Sequence, residues 1–270
     1  MDTTQPPVPL TPSQFDWVCR EIYRQCGIRL QDGKQSLVRN RLEKRLRELG
    51  LTSYDEYIDC LQRDRSGGEM DMFVDTLTTN KTSFFRESRH FDFLQGEVLP
   101  ELARSQRVRL WSAACSTGAE AWSLAITLAE AWPDLLVRDV RILATDICRT
   151  VLSEARVACY DEDDVEGVPP PLLLRYFTKS NGKHRVSDKL RRLVTVARLN
   201  LIGDWPMRGP FDIIFCRNVM IYFDRPTQER LVQRLSSLMS PGGYLFVGHA
   251  ESLSGLRHDL EQVSPAVYRA

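Results

Sequence analysis

The sequence has no net charge to speak of: 36 Lys and Arg balance 36 Asp and Glu. No global field draws it to nucleic acid, so any recognition by charge must be local. Histidine is scarce, and His90, His184, His249 and His258 stand without ligand spacing. None of the seven cysteines (Cys19, Cys26, Cys60, Cys115, Cys148, Cys159, Cys216) lies in a CxxC pair or beside a histidine at ligand spacing. That pattern excludes a disulfide framework or zinc site and points to reduced, mostly buried thiols; no metal is expected. No apolar run approaches the roughly 20 residues of a membrane-spanning helix. The opening "MDTTQPPVPLTPSQ" lacks the basic start and apolar run of a signal peptide. A cytoplasmic protein without membrane insertion is therefore expected. Repeats and long low-complexity tracts are missing too.

What is present divides in two. Thr11-Pro12-Ser13-Gln14 predicts a helix start, with Phe15, Val18, Cys19, Ile22 and Tyr23 at helical spacing and Gly27 as the stop. A second helix is predicted from Lys34 to Leu49, a third after the capping box Ser53 to Glu56, and a fourth carrying Met70, Phe73, Val74 and Leu77. Residues 1–80 thus read as a small helical domain. The string "TTNKTSFFRE" (78–87) follows, then a helical stretch from Ser88 to Ser105.

Beyond it the period changes. "VRLWSAA" (108–114), "VRILATD" (140–146), "LVTVARLNL" (193–201), "FDIIFC" (211–216), "YLFVGH" (244–249) and "SPAVYR" (264–269) are strand candidates, with helical stretches between several of them, including 225–239. Alternating strands and helices predict an α/β domain over 81–270, a mostly parallel, doubly wound Rossmann-like sheet covered on both faces. Residues 161–192 break that rhythm with three prolines and the turn signal Asn181-Gly182, which predicts a small antiparallel insertion.

In such a sheet, ligands bind beyond the C-terminal strand ends. "AACSTGAEA" passes from strand to helix through small residues and holds Glu120 in the first helical turn. Asp146 ends the next strand, where a carboxylate can accept both hydroxyls of an adenosine ribose. The GxGxxG fingerprint is absent, so a pyrophosphate is poorly served and an adenosine without phosphates fits better. S-adenosylmethionine is the commonest such ligand. Arg217 and Asn218 emerge at the tip of the "FDIIFC" strand, with Tyr222 just beyond. The Asn/Asp-Pro-Pro-Tyr/Phe string that holds a flipped base at this tip is missing, which argues against a nucleobase acceptor. Arg86, Arg217 and Tyr222 suit an anionic one.

Four strings, "TTNKTSFFRE", "AACSTGAEAWS", "ATDI" and "IIFCRNVMIYFD", with "PGGYLFVGHAESL" near the end, resemble the chemotaxis receptor methyltransferases of the CheR type. The resemblance covers nearly the whole chain. It implies a helical receptor-docking domain, a methyltransferase domain, S-adenosylmethionine as methyl donor with S-adenosylhomocysteine as product, and transfer to glutamate side chains of chemoreceptor cytoplasmic helices. It also implies recruitment to membrane receptor arrays. Asn80, Thr82, Arg86, Glu120, Asp146, Asn200, Leu201, Arg217 and Asn218 match cofactor contacts, and Arg86 and Tyr222 the residues that flank the reacting methyl. Glu120 falls to the amino group, Asp146 to the ribose, and Asn200 and Leu201 to the adenine side. Members that tether to a receptor-tail peptide have a longer, Gly-rich turn than "SNGKHRV" (180–186), so no tether is expected. A monomer is favoured.

The second helix adds a docking candidate. Val38, Leu42, Leu46 and Leu49 form its expected apolar stripe, and Lys34 to Arg47 hold six basic residues and one acid. Arg41, Lys44 and Arg45, off the stripe, are the residues expected to meet receptor carboxylates. Two other readings are a nucleic-acid or small-molecule methyltransferase, disfavoured by the missing Pro-Pro and zero net charge, and a cofactor-sensing adaptor, which would have no use for Arg86 and Tyr222.

Overall fold

A computed structural model describes residues 9–31 and 33–270. The expectation about a leader sequence falls mainly on residues 1–8, which lie outside the described residues. The chain divides into two units: residues up to Thr79 with Tyr222–Asp224, and Asn80–Ile221 with Arg225–Ala270.

The first unit is helical: α1 (Pro12–Cys26), α2 (Gln35–Leu49), α3 (Tyr54–Arg63) and α4 (Gly68–Leu77). Capping boxes open α1 and α3: Gln14 N–H donates to Thr11 Oγ1, Glu56 N–H donates to Ser53 Oγ, and the third residue reaches back each time. Gly27 and Gly50 close α1 and α2 in the left-handed conformation at φ 73° and 68°. The stripe of α2 is one residue shorter than expected: Val38, Leu42 and Leu46 are buried, but Leu49 is exposed.

Two of the three docking candidates, Arg41 and Arg45, also have partners within the unit. Arg41 Nη1 donates to the carbonyls of Leu77 (2.7 Å) and Thr78 (2.9 Å), and Nη2 to Thr79 Oγ1 (3.0 Å). Arg45 grips Glu69 in the first turn of α4 through Nε (3.0 Å) and Nη2 (2.5 Å). The two arginines hold opposite ends of α4. Lys44 is exposed.

The second unit opens with α5 (Arg89–Phe93), a π-helical turn (Leu94–Val98) and α6 (Leu99–Glu101). A continuous helix was expected here. Pro100 has no N–H to give to Gly96, and the hydrogen-bond register slips just ahead of it. The sheet comprises β1 (Arg107–Ala113), β2 (Asp139–Asp146), β6 (Val194–Arg198), β7 (Phe211–Cys216), β8 (Met239–Val247), β9 (Glu261–Ser264) and β10 (Val267–Arg269), in the order β6-β2-β1-β7-β8-β10-β9. The β6, β2, β1, β7 and β8 strands are parallel; β10 and β9 run antiparallel. The helices α7 (Ala119–Ala131), α8 (Arg149–Val157) and α11 (Arg225–Ser237) connect them.

The insertion is a second, antiparallel sheet of β3 (Cys159–Tyr160), β5 (Lys183–Val186) and β4 (Phe177–Ser180), in that order. Its short helices are α9 (Pro170–Tyr176) and α10 (Asp188–Arg191). Asn181 and Gly182 turn the hairpin at φ 52° and 76°, the pair of positive angles that an Asn-Gly hairpin needs. The expected single strand 264–269 is instead the hairpin β9–β10, bent at Pro265-Ala266.

Candidate functional site

Sheet order sets the site. After β1 the chain moves outward to β2 and β6, then crosses back to lay β7 on the other side of β1. The crevice at such a reversal, beyond the carboxyl ends of the strands, is where open α/β sheets take ligands. The expected residues follow the tips of four adjacent parallel strands: Glu120 after β1, Asp146 on β2, Asn200 and Leu201 after β6, and Arg217 and Asn218 after β7.

The loop between β1 and α7 turns through Ala114 (φ 66°), Ser116 (φ 51°) and Gly118 (φ 89°). A Cβ on Gly118 would stand 2.9 Å from the Ala155 Cβ, so the residue there must be glycine for conformation and space alike. Asp146 is buried and orders this loop: Oδ2 accepts the Ser116 N–H (2.8 Å) and Oδ1 the Cys148 N–H (3.0 Å). Asn200 bends the chain out of β6, its Oδ1 accepting the Ile202 N–H at 3.2 Å. Arg234 holds the same loop through the carbonyls of Leu201 (3.0 Å) and Gly203 (2.6 Å).

The Phe pair of "TTNKTSFFRE" now has its explanation. Phe84 is buried edge-on against Tyr160 and Phe177 at 5.0 and 5.5 Å, and Phe85 packs on Phe91 at 5.3 Å. Phe85 N–H donates to Ser123 Oγ (2.9 Å), and Ser116 Oγ donates to the Asn80 carbonyl (2.7 Å). The aromatic residues thus anchor a polar strap on the insertion and α5, and the two hydrogen bonds tie it to the β1–α7 loop and α7. Thr82 and Arg86 lie half-buried on it, and Arg86 Nη1 donates to the Lys81 carbonyl at 2.9 Å.

Charge concentrates at the β7 tip. The Arg217 side chain is only 2% exposed; Nη1 donates to Glu120 Oε2 (3.0 Å) and Nη2 to Glu87 Oε2 (2.9 Å) and the Arg86 carbonyl. Ser112 Oγ donates to Glu120 Oε1 at 2.6 Å. Burial raises the Glu120 carboxyl above its ordinary range, against the pull of Arg217 and Ser112. Burial also works to raise Glu87, but its hydrogen bonds from Arg217 and Asn218 and the nearby positive charge prevail and lower it.

Sequence reasoning missed three members of this network. Glu87 also accepts Asn218 Nδ2 (3.1 Å) and the His249 N–H (3.2 Å). Glu251 is buried and gathers the backbone N–H groups of Gly248 (2.6 Å), Asn218 (2.8 Å) and Ile221 (3.2 Å). Gly248 allows the close approach, since a Cβ there would meet Asn218 Nδ2 at 2.5 Å. Positive φ at Phe85, Glu87, Ala114, Ser116 and Asn218 places most of the left-handed non-glycine residues among the described residues here, as strained backbone tends to gather at functional sites.

The histidines are less scattered than their spacing suggests. Among the described residues, ligand atoms of Glu87, His90 and His249 lie within 4.8 Å of one another. Arg217 already occupies the Glu87 oxygen, and its charge opposes a second cation there. Tyr222 falls in the other unit, where its carbonyl accepts the Arg29 N–H at 2.8 Å.

Two family profiles match consecutive stretches: "CheR methyltransferase, all-alpha domain" over residues 13–78 and "CheR methyltransferase, SAM binding domain" over 80–269. The chain belongs to the CheR methyltransferase family. It is 44% identical over 263 residues to "Chemotaxis protein methyltransferase 2" of Pseudomonas aeruginosa, covering 96% of this chain and 93% of that one. Identity is 43% over 257 residues to the "Probable chemotaxis protein methyltransferase" of Rhizobium etli, covering 92% and 96%. With the Escherichia coli "Chemotaxis protein methyltransferase" it is 40% over 264 residues, covering 96% and 91%. This CheR-family chain is a methyltransferase, and its cofactor is S-adenosylmethionine. The donor set fits that cofactor. Buried Asp146 and half-buried Glu120 stand at neighbouring strand tips, and Glu120 spends two of about four lone-pair positions on the protein.

Proposed function

We propose that the protein transfers the methyl group of S-adenosylmethionine to glutamate side chains on chemoreceptor cytoplasmic helices, forming glutamyl methyl esters. The observation that carries this reading is the set of carboxylate, amide and arginine side chains at four adjacent strand tips, with the Phe-anchored strap tied to the β1–α7 loop and no Pro-Pro base clamp at the β7 tip. Relatives named as chemotaxis methyltransferases support the substrate class.

Each residue's work follows from its chemistry. Asp146 takes the ribose hydroxyls, Glu120 the amino group, and Asn200 with Leu201 the adenine side, while Asn80, Thr82, Arg217 and Asn218 complete the holding set. The bound cofactor supplies an electrophilic methyl on a sulfonium. A glutamate, with a reference pKa of about 4.3, is already ionised at neutral pH and needs no general base. What remains is to aim one carboxylate oxygen and exclude water, which stabilises charged reactants more than the charge-neutralising transition state. Arg86 orients the acceptor carboxylate, and the resemblance assigns Tyr222 a hydrogen-bonding role at the methyl transfer; neither moves a proton. On the helical unit, Lys44 is the residue of the proposed docking trio left exposed for receptor carboxylates.

Incubation with methyl-labelled cofactor and receptor-rich membranes tests the reading. Label on receptor bands that is lost in mild base is expected from an ester. Base-stable label, or label on nucleic acid, would support a different methyltransferase; no transfer at all would support an adaptor.

A further inference from the structure

Two half-buried carboxylates share one buried cation. Arg217 lies between Glu87 and Glu120, 2.9 and 3.0 Å away, with side-chain exposures of 2%, 14% and 12%. The trio carries one positive and two negative charges. If Arg217 faced Glu120 alone, a closed pair would form and the carboxylate would present almost no net charge to a ligand. Glu87 divides the guanidinium, Nη2 to itself and Nη1 to Glu120. Its other hydrogen bonds come from neutral donors on two further segments, Asn218 Nδ2 and the His249 N–H. Glu87 is thus well compensated by the protein. Glu120, with Ser112 Oγ and one arm of Arg217, is less so, and the excess negative charge rests with it. Glu87 holds this place at a left-handed φ of 57°, a conformation few glutamates adopt.

We infer that Glu87 is a positioning residue for cofactor recognition: by sharing Arg217 it keeps Glu120 net negative, so that the site selects ligands with an α-ammonium group. The inference rests on the assignment of Glu120 to that amino group. Calorimetry on the full chain tests it with two ligands, S-adenosylhomocysteine and its deaminated analogue, which keeps the thioether and carboxylate but lacks the amino group. Glu87→Gln removes the charge and keeps the shape. Its expected effect is a loss on the order of tenfold in the affinity ratio of the amino ligand over the deaminated one, as for one charge-assisted bond. Glu120→Gln should lower the same ratio at least as much.

Equal weakening of both ligands by Glu87→Gln would reduce Glu87 to a shape-holding role and overturn the inference, as would no change in either. A normal ratio in Glu120→Gln would instead remove the assignment of Glu120 itself. Should Glu87→Gln fail to fold, Glu87→Asp, whose shorter carboxylate withdraws from Arg217, tests the same point: the ratio should fall, and an unchanged ratio would overturn the inference.

Discussion

His90 is 1% exposed, edge-on to the rings of Phe215 and Phe246, with Arg217, His249 and Glu87 as its charged or titratable neighbours. Burial, with the charges of Arg217 and His249, pushes its pKa down to about 4, against the opposing pull of Glu87. A folded pKa below the unfolded value of about 6.5 means that the unfolded chain binds the proton more readily. The contribution of a neutral His90 is therefore complete above about pH 6.5 and is lost as pH falls towards 4. Over that window the loss should reach about 3 kcal/mol. Urea denaturation of the full chain across this range should show stability falling with acidification, and His90→Phe should flatten the fall. An identical pH profile in the two proteins would remove His90 from the account. The places of Asp146 at a strand end and of Glu120 in the first turn of the next helix were legible, but nothing in the spacing of residues 87, 90, 217 and 249 foretold their meeting. That cluster exists only once β7 and β8 lie side by side.

At the scale of elements, capping boxes, stop glycines and apolar periodicity located the four N-terminal helices to within a few residues. Such signals are local, so the sequence carries them openly. The fate of the α2 arginines is not local. Arg41 reaches carbonyls 36 and 37 positions away, and the partner of Arg45 is 24 positions away. A basic helix face and a pair of helix clamps look alike before folding. Removing the Arg41 clamp should cost about 1–3 kcal/mol, since the charge satisfies the end carbonyls of α4. Arg41→Ala should accordingly lower the melting temperature of the protein. Lys44→Glu should not; it should raise the apparent KM for receptor and weaken the salt dependence of methylation, because exposed charges are screened beyond about 8 Å at physiological ionic strength. The reverse pattern would return the docking role to Arg41. The β9–β10 hairpin escaped notice because its turn at Ala266, φ 59°, uses neither glycine nor asparagine. The π turn before Pro100 escaped for the opposite reason, as the apolar pattern there stays helical.

For the molecule as a whole, zero net charge and a reversing parallel sheet put the weight of function on one set of strand tips. The strings 78–87, 113–123, 144–147 and 213–224 supply most of that set, and the last three lead to the tips of β1, β2 and β7, which the sheet presents in the order β2, β1, β7. No helix among the described residues is long and apolar enough to cross a membrane. The central claim is that the methyl acceptor is a glutamate carboxylate. Its most direct test is mass spectrometry of receptor peptides after reaction with isotope-labelled S-adenosylmethionine, using wild type and Arg86→Ala. The account predicts labelled methyl esters on glutamate with the wild type, and turnover by Arg86→Ala reduced far beyond any change in cofactor affinity. Label confined to lysine, cysteine or a nucleobase, or Arg86→Ala turnover near wild type at saturating cofactor and receptor, would contradict it.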